Sequence, residues 1–158
     1  MSKEQWLLAL HVLGAFLFVG GALAAGILQL AAMQRERPSE IAFLLGLVRL
    51  LVPAVGLGAL VTLGLGLWLV EDRPHYEIGE GWIAAALALW VSSGVLAQVG
   101  GTRARHAREL AERLAAQGDG PSAELRRAVA DPVAALLNWA SLAALLATLG
   151  LMIWKPGA

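Results

Sequence analysis

Residues 6–30 read WLLALHVLGAFLFVGGALAAGILQL, and this stretch decides the fold. It carries no charged side chain and one histidine, His11. At 1.5 Å per residue a helix of this length exceeds the ~30 Å hydrocarbon core of a bilayer. An imidazole is thus placed within a membrane span, where ionisable side chains are costly and draw attention as functional groups.

The composition agrees. The chain has 158 residues, 58% hydrophobic and 15% charged, with a mean hydropathy of +0.68. A water-soluble domain of that size has no room to bury so much apolar surface. Twelve Lys and Arg balance twelve Asp and Glu, so net charge points neither to nucleic acid nor to an acidic partner. With no cysteine, disulfides, thiolate metal sites, iron–sulfur clusters and a cysteine nucleophile are excluded.

Ser2 with Gln5 forms a capping box ahead of the first apolar run. Ala22, Leu23 and Ala24 make an A-x-A site of the signal-peptide type, but the run continues to Leu30, so the first span reads as uncleaved. After a polar turn around Arg35 and Arg37, Ser39 is the expected N-cap of a second span over 41–70, whose single charge is Arg49 and in which Pro53 is a candidate kink. A short acidic connection over 71–80 carries Arg73 and His75, and a third span follows over 82–101. Residues 102–131 are polar but helical in pattern: Ala104, Ala107, Leu110, Ala111 and Leu114 recur on one face, and Glu109 can pair with Arg105 and Arg113. The GDGP run 118–121 breaks that helix and Ser122 caps a shorter one. Asp131 with Pro132 opens the fourth span, 132–154. The expected fold is a single all-α domain, a polytopic four-helix transmembrane bundle with a cytoplasmic amphipathic helical loop.

Four crossings put both termini on the side of the 71–80 connection, with Lys3, Arg73 and Lys155. The other side holds Arg35, Arg37, Arg103, Arg105, Arg108, Arg113, Arg126 and Arg127. The positive-inside rule makes the arginine-rich side cytoplasmic. The chain is then a protein of the bacterial inner membrane with both termini periplasmic, and Trp6, Trp68, Trp82 and Trp154 form an outer aromatic belt. The basic segment is expected to lie along anionic inner-leaflet lipids through Arg103, Arg105, Arg108 and Arg113, or to dock a partner. Inside lipid, small residues mark helix contacts. Gly14, Leu17, Gly21, Ala24 and Ala25 on the first span, and Ala54, Gly58, Thr62 and Gly66 on the second, are the expected central seam.

Two polar groups remain within the spans. His11 falls about 8 Å below Trp6, and Arg49 about 12 Å in from the cytoplasmic edge. The imidazole is either a satisfied structural group or a ligand or proton carrier. The guanidinium either snorkels, finds the carbonyls of Gln29, Gln98 or Asn138, or meets an anionic or quinone oxygen. A metal site from His11 and His75, with Met152 nearby, is geometrically allowed, although no histidine pair shows ligand spacing. No Walker loop, GxSxG elbow or intramembrane carboxylate pair is present, so hydrolase and NTPase functions have no support.

The segment LHVLGAFLFVGG (10–21), in which a histidine is followed about nine residues later by paired small residues, resembles the opening helix of small bacterial four-helix membrane proteins. These are related to the copper-resistance D family and to HemJ-type protoporphyrinogen oxidases, and the chain is most similar to an uncharacterised branch that also ends in a KP dipeptide, here Lys155-Pro156. The resemblance covers the whole chain by span count. It implies that His11 matches a first-helix haem ligand and that Arg49 stands where those relatives use a basic residue. The chain differs from the HemJ pattern in having no lysine within the spans. The resulting expectation is b-type haem bound through His11 with Arg49 as an anion partner, in redox or haem handling or as a small respiratory subunit. The alternatives are a cofactor-free assembly partner in a homo-oligomer or larger membrane complex, and a carrier of small molecules or metal. No enzymatic activity is assigned.

Overall fold

The computed structural model describes residues 3–71 and 80–155, and among them the chain is five α-helices without a strand. Helix α1 spans Lys3–Met33, α2 Pro38–Glu71, α3 Gly81–Ala116, α4 Ala123–Val129 and α5 Pro132–Trp154. Four helical stretches, α1, α2, α3 and the one ending in α5, are long and apolar enough to cross a membrane. Phe16, Leu136 and Ile153 point outward at 70–78% exposure, which is stable only where the solvent is lipid. The protein is an all-α polytopic membrane bundle, as expected from sequence. The Ser2 cap lies outside the described residues, and α2 runs through Pro53 as one helix.

The bundle is two tight pairs. In the first, α1 and α2 meet along the two expected small-residue stripes. Gly14 faces Val61 and Thr62, and Gly21 faces Val55. Gly58 sits on the backbone of α1, where a Cβ would come within 2.6 Å of the Phe18 nitrogen and 2.8 Å of the Gly14 carbonyl oxygen. In the second pair, α3 and α5 are joined by reciprocal hydrogen bonds. The Ser93 hydroxyl donates to the Ser141 carbonyl at 3.0 Å, and the Ser141 hydroxyl to the Ser93 carbonyl at 2.9 Å. Lower on the same seam the Asn138 side chain packs onto Gly100, so it serves this crossing and not an arginine.

The best-buried apolar cluster is at the arginine-rich end. Ala32 of α1, Ile41 and Leu45 of α2, Ala107, Leu110 and Ala111 of α3, and Leu125 and Val129 of α4 close on one another. This corrects the surface-lying basic helix expected from sequence. Residues 102–116 continue α3 without a break at Gly100-Gly101, and their apolar face is buried in protein, leaving none to insert into a leaflet. The expected ion pairs of Glu109 are replaced as well. Arg108 pairs with Glu112, while Arg113 Nε donates to the Glu109 backbone carbonyl.

Two carboxylates fasten this end. Ser122 and Asp131 cap α4 and α5 as expected, the Ser122 hydroxyl accepting from the Leu125 N–H and the Asp131 carboxylate from the N–H groups of Val133 and Ala134. Asp131 also accepts from Arg103. Ser39 does not cap its own helix, which begins at Pro38. Its N–H and hydroxyl instead donate to the two oxygens of Asp119, each at 2.7 Å. Asp119 adopts φ 55° beside Gly118 at φ 136°. Glycine takes such a conformation freely, and Asp is among the few other residues that visit it.

The Ser39 hydroxyl and N–H hold the Asp119 carboxyl below the ordinary carboxylate range, and Arg103 does the same for Asp131. A carboxylate with a depressed folded pKa stabilises the fold above its unfolded value of ~4, and that contribution is lost as pH falls through the folded value. The protection factor of the Ser39 amide against hydrogen exchange is therefore expected to hold from neutrality to about pH 4 and to drop below it. In Asp119→Asn it is expected to be low already at pH 7. An acid profile that is the same in both proteins would refute the Asp119 clamp.

Candidate functional site at His11

His11 faces α2 where α2 has no side chain. A Cβ at Gly66 would stand 3.0 Å from His11 Cε1 and 3.3 Å from Nδ1, so the ring occupies the volume that a larger residue would take. The Thr62 carbonyl, one turn away, approaches the ring, but the buried Nδ1 closes no hydrogen bond of good geometry. The Thr62 hydroxyl and the Trp90 indole N–H are also buried without partners.

These three residues wall one cavity of about 660 Å³ between the two helix pairs. Its lining takes Ala15 from α1 and Leu149 and Met152 from α5 in addition, and Lys155 stands at its outer end. The size lies within the ~300–1,000 Å³ range of small-molecule and cofactor sites, and a mostly apolar wall with a few polar groups is their usual lining. Depth can be read along the helices. His11 is 21 residues from Ala32 on α1, and Trp90 is 20 residues from Leu110 on α3, and both end points belong to the same buried cluster. At 1.5 Å per residue each lies ~30 Å from that cluster. Imidazole and indole therefore come to the same depth on opposite walls.

Arg49 is not part of this cavity. It is exposed, and it is 17 residues before Gly66 on α2, or about 25 Å along the helix axis from the His11 ring. It is one turn beyond Leu45, as Arg103 is one turn before Ala107, and Leu45 and Ala107 share the cluster. The two guanidiniums come to similar heights, at the edge of the apolar part of α3. Arg49 is nearer the arginine-rich interface than its place in an apolar run suggested, because the α1–α2 turn projects beyond the apolar part of α3 to pack on its polar continuation. His75 lies outside the described residues. Among those described, no three His, Asp or Glu side chains gather closely enough to share a metal ion. Gln29 is half-buried and Gln98 exposed.

A family model described as predicted integral membrane protein (DUF2269) matches residues 5–156. The chain belongs to this family. No curated protein and no solved structure matches it. The DUF2269 match includes His11, Thr62, Gly66 and Trp90, so the whole cavity lies within the family's extent. Of these residues only His11 was singled out by sequence as a site. Thr62 and Gly66 were legible as packing residues, and nothing in the pattern around Trp90 distinguished it from a lipid-facing aromatic.

Proposed function

We propose that this protein holds b-type haem in the His11 cavity, in redox or haem handling within a bacterial inner membrane, with its arginine-rich end cytoplasmic. One observation carries the reading: His11, Thr62 and Trp90, each with a buried side-chain polar atom that has no partner, line one intramembrane cavity of about 660 Å³. Unpaired buried polar groups are uncommon and call for an explanation, and an occupant between the helix pairs toward which these side chains turn supplies one. The residues fit haem in donor chemistry. His11 offers an imidazole and Met152 a thioether, both haem-iron ligand types, in an apolar surround. Gly66 gives the ring its room. Haem bound there supplies one-electron chemistry. The protein's part is to orient the imidazole and exclude water.

Protein purified after haem-replete expression is expected to show a Soret band, and His11→Ala to lose it at least tenfold while keeping its far-ultraviolet helix signal. A colourless wild-type protein overturns the proposal. A second reading, assembly with a partner, is favoured by Arg105, Arg126 and Arg127, which stand exposed at the arginine-rich end. It predicts that a larger complex co-purifies and is lost when Arg105 and Arg126 are changed to Glu.

A further inference from the structure

We infer that the His11 cavity is filled sideways from the bilayer, through the seam between α1 and α5, so that its occupant is a lipid-dissolved molecule. For haem as that occupant the inference rests on the reading above; the portal itself rests on separate observations. The first is the division of labour in the bundle. Helices α1 and α2 are locked by glycines, and α3 and α5 by the Ser93–Ser141 exchange. Contacts between the two pairs are concentrated at the arginine-rich end, in the cluster around Leu125 and in the Ser39–Asp119 hydrogen bonds. At the opposite end the chain itself runs from α2 to α3, and the cavity separates α1 from α5.

The second observation is that several cavity-lining side chains are also on the outer surface. Val12 is 52% exposed, Phe16 78% and Leu23 43% on α1, and Ile153 is 78% exposed on α5. A residue that both lines a cavity and faces lipid marks an opening to lipid. The third is the character of the rim. These four side chains are apolar, so a hydrophobic molecule crosses the seam without desolvating a polar group, whereas an ion or sugar has no partner there. Rotamer changes of such rim side chains are much faster than the parting of a packed helix pair.

The chain contains no cysteine, so introduced thiols report alone. A spin label on Ala15→Cys, on the cavity wall, is expected to be relaxed more strongly by oxygen, which concentrates in lipid, than by a water-soluble nickel chelate. In a Phe16→Cys, Ile153→Cys double variant in vesicles, a bifunctional thiol cross-linker is expected to slow uptake of vesicle-dissolved hemin at least tenfold. When the link is formed after loading, it is expected to slow hemin release by a similar factor. A stronger effect of the nickel chelate at residue 15, or unchanged hemin rates in cross-linked protein, overturns the portal. Wild-type protein that takes up no hemin overturns the haem reading instead, and the spin-label result then decides the portal by itself.

Discussion

Gly58→Leu is expected to prevent α1 and α2 from docking, at a cost of about 3 kcal/mol, the upper part of the range for overpacking a close contact. The first atoms met by a Cβ at residue 58 are the Phe18 nitrogen and the Gly14 carbonyl oxygen. These belong to the helix backbone and cannot rotate aside, so the two helices must separate. Separation is costly because no hydrophobic force drives helices together in lipid, where association depends on close packing itself. It also removes the wall against which His11 rests, since Gly66 is two turns further along the same stripe. Gly56→Leu is the matched control. A Cβ there meets nothing within 4 Å, so its effect is expected to stay within ~0.5 kcal/mol. Denaturant titration in mixed micelles, followed by circular dichroism, reads both. Equal midpoints for the two variants would show that the seam does not depend on the glycine at 58.

Leu125→Ala is expected to cost about 3 kcal/mol, within the range for truncating a fully buried leucine. Leu125 is 1% exposed and belongs to a helix of seven residues. A helix that short does not persist by its own hydrogen bonds and depends on tertiary packing. Removing its main anchor should free α4 and loosen the turn that carries Asp119, and with it the clamp on Ser39. Leu136, 70% exposed on the lipid face, provides the comparison. Its truncation exchanges one apolar contact with lipid for another and is expected to stay within ~0.5 kcal/mol. Hydrogen exchange should register the difference locally, with early loss of protection in α4 and at Ser39 in Leu125→Ala alone. A destabilisation below ~1 kcal/mol would mean that the site collapses around the missing atoms.

These two predictions come from opposite ends of what the sequence could reveal. The glycine seam was legible beforehand, because spacing of about four residues places small side chains on one helix face whatever the partner is. The cluster around Leu125 was legible only in part. The apolar spacing of Ala107, Leu110 and Ala111 identified a face, but not what covers it. A leaflet and a protein core select the same amphipathic pattern, and only the unbroken course of α3 through Gly100-Gly101 distinguishes them. The partner of Ser39 was hidden for a related reason. Local rules offered a cap for its own helix, while the actual acceptor, Asp119, is 80 residues away in sequence.

The candidate site divides in the same way. His11 could be found by reading the chain because a polar side chain within an uncharged span is costly wherever the helices go. Its surroundings could not be read so. Gly66, Thr62 and Trp90 become relevant only when two helix pairs are placed side by side, and Arg49 leaves the site only when the α1–α2 turn is seen to project beyond the apolar part of α3. The sequence by itself determined the number of spans, the small-residue seam between the first two and the place of the imidazole along the first, since these follow from rise per residue, periodicity and the cost of polarity in lipid. Tertiary structure alone decided which walls enclose that imidazole and where the bundle is fastened, because those contacts join residues that no local spacing links.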